Sequence, residues 1–272
     1  MEEQEYKQML RQSFDAASAG YDSTAMRFFD NSAQHLLEIL PLSGKEKILD
    51  VAAGTGKSAN LLAKALPEGE VIGIDLSEGM LRQAEIKAKA EHLKNVFFHC
   101  MDVDALNFSE NSFDGACCSF GAFFFPDMKK SLMKILRVIR PGGYIAITSF
   151  LDGSFTPLSD ICLNMFQKYG VSLPDHHTWQ RLDHIDKHRE LLESVDLREV
   201  RSQTKQVGHY LKGEQECWDL VFYTGFRSFL NQLSQEDQSR YKEEYLKEIK
   251  ALETSDGVWL NVEAIFTLGY KS

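Results

Sequence analysis

The chain has 272 residues, 43% of them hydrophobic and 26% charged, enough for one large domain, or one domain with a sizeable insertion, around a real apolar core. A formal net charge of −10 argues against a nucleic acid as the main partner, because phosphate binding needs clustered Lys and Arg. No apolar stretch reaches the roughly 18 residues of a membrane helix, and the opening MEEQEYKQMLRQSFDAA lacks the apolar run of a signal peptide, so a soluble cytoplasmic protein with no membrane insertion is expected.

In chain order, the first forty residues read as helix, broken near Ala19-Gly20-Tyr21-Asp22, and Pro41 to Glu46 as a loop. KILDVA is a short apolar strand, KSANLLAKAL has helical spacing, EVIGIDL is a strand, EGMLRQAEIKAKAEHL a helix and VFFHCMD a strand. FDGACCSFGAF is another strand, MKKSLMKILRVI a helix stopped by Pro141-Gly142-Gly143, and YIAITSF the next strand. Strands alternating with helices of about 10 to 15 residues indicate parallel βαβ units. Near-continuous apolar strands suit a sheet covered on both faces.

The pattern changes after Phe150. Residues 151–185 are irregular apart from a helix at LSDICLNMFQKYG, HRELLESVD reads as a helix, and LREVRSQTKQVGHY as one strand. Two helices follow, Glu214 to Leu233 and Gln235 to Leu252, the second with the alternating charges of a solvated face. GVWLNVEAIFTLGYK is the last strand. The chain thus divides into an N-terminal helical cap (1–42), a ligand-binding core (43–150) and a C-terminal part (151–272) that completes the sheet and carries insertions at about 151–185 and 211–255. The five cysteines are odd in number and form no C-x-x-C pair, which predicts buried reduced thiols.

The turn Gly54-Thr55-Gly56-Lys57-Ser58 fits more than one ligand at first sight. A P-loop is rejected, because G-x-x-x-x-G-K-[ST] requires a glycine where this chain has Val51. A dinucleotide turn has better support. Glycines let backbone N–H groups approach a ligand, and the next helix N-terminus favours negative charge. Asp75, ending EVIGID, has the spacing of a ribose-binding acid. Asp50 discriminates: a carboxylate just before the turn puts like charge beside a pyrophosphate, but it favours an adenosyl ligand with sulfonium and ammonium groups.

ILDVAAGTGKSA resembles the first motif of class I S-adenosylmethionine-dependent methyltransferases, and later motifs agree in order. VIGIDLSEGML is similar to their second strand, whose terminal acid binds the ribose diol, a role the resemblance gives to Asp75. HCMDVDALNFSENSFDGACCSFGAFFFPD is similar to their third and fourth strands and implies adenine contacts at Asp102 and the Val103 N–H. ILRVIRPGGYIAITSF resembles the segment leading into their fifth strand. SFDAASAGYDS resembles the N-terminal helix break of ubiquinone/menaquinone-biosynthesis-type enzymes, where a tyrosine, here Tyr21, lies over the cofactor. Ala52-Ala53 depart from the more frequent Gly or Cys.

The likeness covers about residues 13–150. It implies a Rossmann-like α/β fold, with a mostly parallel seven-stranded sheet, helices on both faces and a helical cap. The implied activity is methyl transfer from S-adenosylmethionine to a small organic acceptor, releasing S-adenosylhomocysteine. Two other readings remain. One is an NAD(P)-dependent oxidoreductase on the same glycines, disfavoured by Asp50 and by the lack of a Tyr-x-x-x-Lys pattern near the core. The other is a non-catalytic protein that binds S-adenosylmethionine.

The expected cofactor site comprises Tyr21, Asp50, Ala52, Gly54, Gly56, Asp75, Leu76, Met80, Asp102, Val103, Ser119 and Phe120. Leu76 and Met80 are expected to wall the adenine, and Ser119 and Phe120, at the end of the fourth strand, to meet the methionine end. Plain structural roles compete: a helix cap for Asp75, a turn cap for Asp102, with Asp104 as its rival, and helix core for Met80. The acceptor candidates are Phe124, the group His176, His177 and Trp179 in PDHHTW, and Trp218, Tyr223 and Arg227 on one predicted helix. A polar surface loop and amphipathic packing are the competing readings for the last two groups. His176 and His177 find no third ligand of convincing spacing, so no metal is expected. No catalytic base is identified. The expected partner is the small-molecule acceptor, and a homodimer is left open.

Overall fold

A computed structural model describes residues 2–174 and 177–272. The alternating pattern becomes one seven-stranded sheet with the order β3-β2-β1-β4-β5-β9-β6. Its first five strands, β1 (Lys47–Val51), β2 (Glu70–Asp75), β3 (Val96–Cys100), β4 (Phe113–Ser119) and β5 (Ile139–Phe150), are mutually parallel. β6 (Arg198–Gln206) lies at the far edge, and β9 (Glu263–Tyr270) runs antiparallel between it and β5. Ile48, Leu49, Asp50 and Val51 are all buried in succession, which a strand shows only when both faces of its sheet are covered.

The crossover helices are α3 (Lys57–Ala65) after β1, α4 (Glu78–Ala90) after β2 and α5 (Met128–Val138) after β4, while α7 (Ile185–Glu193) precedes β6. Two of them begin at side-chain caps, Ser77 accepting from the Met80 N–H and Asp127 from the Lys130 N–H. α3 instead begins at Gly56, whose φ is 78°. A Cβ there would lie 2.7 Å from the Ala84 Cβ, so the glycine turn sits directly on α4.

At the N-terminus, α1 (Glu3–Ala17) leads through two short 3-10 turns into α2 (Arg27–Ile39), so the helix breaks where the sequence predicts. α1 packs on α4 and α2 on α3. After β5 comes α6 (Leu158–Lys168). α8 (Gly213–Tyr223), α9 (Arg227–Leu230) and α10 (Gln235–Lys250) stand between two short strands, β7 (His209–Leu211) and β8 (Val258–Leu260). α10 turns Tyr241, Tyr245 and Ile249 inward at four-residue spacing, and Tyr241 stacks on Phe166 of α6 with centroids 4.3 Å apart.

Three predicted elements divide in the structure. The strand predicted after Leu197 splits into β6 and β7, and the last predicted strand into β8 and β9; β7 and β8 form a separate antiparallel ribbon. The split is made at Gly208, where a Cβ would lie 2.1 Å from the Leu260 carbonyl oxygen. The helix predicted over 214–233 breaks at Thr224, which is extended at ψ −171°. Four cysteines are buried as predicted, but Cys100 is exposed because it ends the edge strand β3.

Candidate active site

Strand order reverses between β1 and β4, and open α/β sheets bind ligands beyond the carboxyl ends of strands at such a point. A cavity lies there. The ends of β1, β2 and β4 supply Asp50, Ala52, Gly54, Asp75, Leu76, Ser119 and Phe120 to its wall. Ala52 (φ 56°) and Phe120 (φ 55°) are both left-handed at the ends of these neighbouring strands, and such strain outside glycine gathers at functional sites. Gly54 is left-handed too, and a Cβ on it would meet nothing within 4 Å.

Two carboxylates meet this turn. Asp75 Oδ2 accepts the Gly54 N–H at 2.8 Å and Oδ1 the Ser77 N–H at 2.9 Å, leaving each oxygen a further accepting position. Burial raises the Asp75 carboxyl above its ordinary range. Asp50 is 1% exposed. Its Oδ1 accepts from the Cys117 thiol at 3.3 Å, and its Oδ2 has no hydrogen-bond partner among the described residues. Burial, opposed by the thiol and aided by the charge of Asp75, pushes the Asp50 carboxyl up to about 7. A buried, half-partnered carboxylate beside a second one is the electrostatic complement of a cation.

The far end of the cavity is lined by Met80 on α4 and by Asp102 and Val103 after β3. α1 and the turn behind it close over this side, with Lys7, Arg11, Phe14 and Tyr21 on the lining. The N-terminal segment ties down each of the three loops beneath it. Lys7 Nζ donates to Asp102 Oδ2 at 2.8 Å and Asp104 Oδ2 at 2.7 Å, in the loop after β3. Asp15 Oδ1 accepts from Ser77 Oγ at 2.6 Å and the Gly79 N–H at 2.8 Å, where the turn after β2 enters α4. Asp22 Oδ1 accepts from Thr55 Oγ1 at 2.8 Å, in the turn after β1. Removing one clamp should loosen the cover without unfolding the sheet. In Lys7→Ala, amide hydrogen exchange across α1 should quicken by roughly fivefold, matching the loss of about 1 kcal/mol from a part-buried ion pair. Unchanged exchange would show that α1 is held without Lys7.

The inner end of the cavity is aromatic. Tyr21 stacks on Phe29 with centroids 5.7 Å apart, Phe29 meets Phe120 edge-on at 5.1 Å, and Phe14 meets Phe124 edge-on at 5.4 Å. Ser32 and Ala33 of α2 complete this wall.

All the sequence-predicted cofactor residues except Gly56 lie on this cavity. Gly56 faces Ala84 and Phe98 instead and serves the packing of the turn. Among the described residues predicted to meet the acceptor, only Phe124 lines it. His176 lies outside the described residues. His177 stacks on Trp179 at 4.2 Å and meets Phe229 edge-on at 6.0 Å, a local aromatic cluster away from the cavity. Trp218 packs near Phe222 and Tyr241 with Lys242 Nζ 5.1 Å above its ring. The Tyr223 ring fills the space a Gly20 side chain would need, the nearest atoms at 2.1 Å. Arg227 lies over the Phe222 ring and donates from Nη1 to the Ala16 carbonyl at 3.0 Å. These last three side chains join α8 and α9 to their neighbours and do not reach the cavity, because helical spacing places them on packing faces. The sequence reading missed Lys7, Asp15, Asp22, Phe29 and Ser32. A stripe at Lys7, Arg11 and Phe14 on one helix face was the available signal for part of this wall.

A mostly parallel doubly wound sheet, a glycine turn after its first strand and two acidic strand ends on one cavity define a nucleotide-type cofactor protein. Comparison with known proteins narrows the class. The family model described as a methyltransferase domain matches residues 48–143. The chain is 32% identical over 169 residues to aklanonic acid methyltransferase of Streptomyces sp. strain C5, spanning 58% of this chain and 76% of that one. It is 33% identical over 159 residues to demethylmenaquinone methyltransferase of Bacteroides fragilis, spanning 57% of this chain and 65% of that one. The YcgJ protein of Bacillus subtilis superposes with a TM-score of 0.59 at 19% identity, covering 88% of this chain and 97% of that one, which bears on fold alone. The chain belongs to the class I S-adenosylmethionine-dependent methyltransferases.

Proposed function

We propose that S-adenosylmethionine occupies the cavity with its adenine against Met80, Asp102 and Val103, its ribose on Asp75, and its methionine end over Gly54 towards Asp50, Ser119 and Phe120. The observation that carries this reading is the buried carboxylate of Asp50, a residue of the cavity wall, with one oxygen unpartnered among the described residues. It asks for a cation, which S-adenosylmethionine has and a nicotinamide dinucleotide pyrophosphate does not offer. Gly54 leaves room for the ligand chain, and both Asp75 oxygens keep an acceptor for a ribose hydroxyl.

Bound there, the cofactor supplies an electrophilic methyl group on a sulfonium, which is a good leaving group. The protein aligns the acceptor and keeps water out. The aromatic inner wall and the α1 cover do both. The cations on the lining are already paired among the described residues: Lys7 with Asp102 and Asp104, Arg11 with Glu78, and Lys57 with Asp30. A small, neutral and largely apolar acceptor fits this wall best. The relatives named for aklanonic acid and demethylmenaquinone support a small organic acceptor. In this reading residues 1–42 form the lid, and α6 with α8, α9 and α10 form an outer cap. The unbridged cysteines support a cytoplasmic setting.

Thermal melting with S-adenosylmethionine, S-adenosylhomocysteine, NADH, NADPH and ATP in parallel tests the cofactor. A ligand at about 100 times its dissociation constant adds about 2.7 kcal/mol, a rise of a few degrees. The two adenosyl sulfur ligands alone should raise the melting temperature. A rise with NADH or NADPH alone would reverse the assignment of Asp50.

A further inference from the structure

The inward stripe of α2 is Phe28, Ser32 and Leu36, at four-residue spacing and 1%, 2% and 2% exposed. Ser32 is its polar member. A serine inside a helix commonly returns its hydroxyl to the carbonyl four residues back, which here is Phe28. Ser32 makes no such bond, and its Oγ has no hydrogen-bond partner among the described residues. A buried hydroxyl left unpaired is destabilising, and this one belongs to a residue of the cavity wall, which Phe29 and Ala33 of the same helix also line.

We infer that Ser32 is the polar anchor of the methyl acceptor: its hydroxyl pairs with a carbonyl or hydroxyl oxygen on a neutral, otherwise apolar molecule lying against Phe29, Phe120 and Phe124. The inference rests on the reading of this cavity as the cofactor and acceptor site. An oxygen is the matching group because a serine hydroxyl both donates and accepts. A neutral molecule matches because the cations on the lining already have carboxylate partners. An acceptor without that oxygen would leave Ser32 unpaired in an apolar enclosure, and sites built to pair a substrate oxygen discriminate strongly against analogues that lack it.

The test uses the full chain saturated with S-adenosylhomocysteine and two probes of similar shape, 1-naphthol and naphthalene, with affinities measured by calorimetry. The wild type should bind 1-naphthol about tenfold more tightly, the upper range for one net hydrogen bond. Ser32→Ala should abolish that preference, and Ser32→Thr should restore most of it. S-adenosylhomocysteine affinity should stay within about twofold in both variants. Without acceptor, Ser32→Ala should melt at the wild-type temperature or above, since it removes an unpaired polar atom. A preference that survives Ser32→Ala overturns the inference. So does equal binding of the two probes, or of neither, by the wild type. A lower melting temperature in Ser32→Ala with the preference intact would mark a structural serine. Failure of S-adenosylhomocysteine to bind the wild type would instead overturn the cofactor reading beneath it.

Discussion

Asp75→Ala should lower the affinity for S-adenosylmethionine by about a hundredfold or more while the sheet still folds. Two effects add. The variant removes the carboxylate offered to the ribose diol, and charge-assisted hydrogen bonds contribute about 1.5–3 kcal/mol each. It also frees the Gly54 and Ser77 N–H groups that Asp75 holds at 2.8 and 2.9 Å, so the glycine turn loses its brace. Asp75→Asn, which keeps an acceptor oxygen, should fall between the two. Titration calorimetry reads the affinities, and circular dichroism checks the fold. Affinity within a few-fold of wild type in Asp75→Ala would reduce Asp75 to a turn brace.

Asp50 predicts a pH dependence with a definite sign. Its carboxyl is pushed from 3.8 up to about 7, chiefly by burial. A raised folded pKa means the native state holds the proton more tightly than the unfolded chain. The stability it contributes is therefore complete below about pH 4 and is lost as pH rises through about 7. Ligand binding runs the other way, because a cation prefers the ionised form. Affinity for S-adenosylmethionine should climb by up to about tenfold per pH unit from pH 5.5 to 7 and then level. In Asp50→Asn the affinity should be roughly 10- to 100-fold lower at pH 7, the loss of one charged pairing. Its profile should be flat over that window, and its unliganded melting temperature should exceed wild type at pH 8. A wild-type affinity independent of pH from 5.5 to 7 would remove Asp50 from the cationic end of the ligand.

Those two carboxylates were legible in the chain because each ends an apolar strand and precedes a turn, a signal contained within a dozen residues. The alternation from Lys47 to Phe150, the break at Ala19 to Asp22 and the left-handed glycine turn were local in the same sense, and they fixed the class of fold. The glycine more frequent at the Ala52 position also has a local cause: the position takes a φ of 56°, where glycine is the less strained residue. Gly56 shows the limit of such reading. Its left-handed φ of 78° is a local demand, but the second reason for a glycine there, the contact with Ala84 28 positions away, is not.

What only the tertiary structure decided joins residues far apart in the chain. Lys7 reaches Asp102 and Asp104, and Asp15 reaches Ser77 and Gly79. No periodicity encodes such pairs, since each partner alone reads as a surface charge or a helix cap. The same holds for Trp218, Tyr223 and Arg227: helical spacing placed them on one element, but which neighbour that element would face was set by the packing of α8 and α9 against the N-terminal segment. Nothing in the sequence around Ser32 sets it apart from other polar residues of a helix. Burial of its face, with no partner for its hydroxyl among the described residues, is a property of the assembled fold, because desolvation exists only once the chain has closed around it.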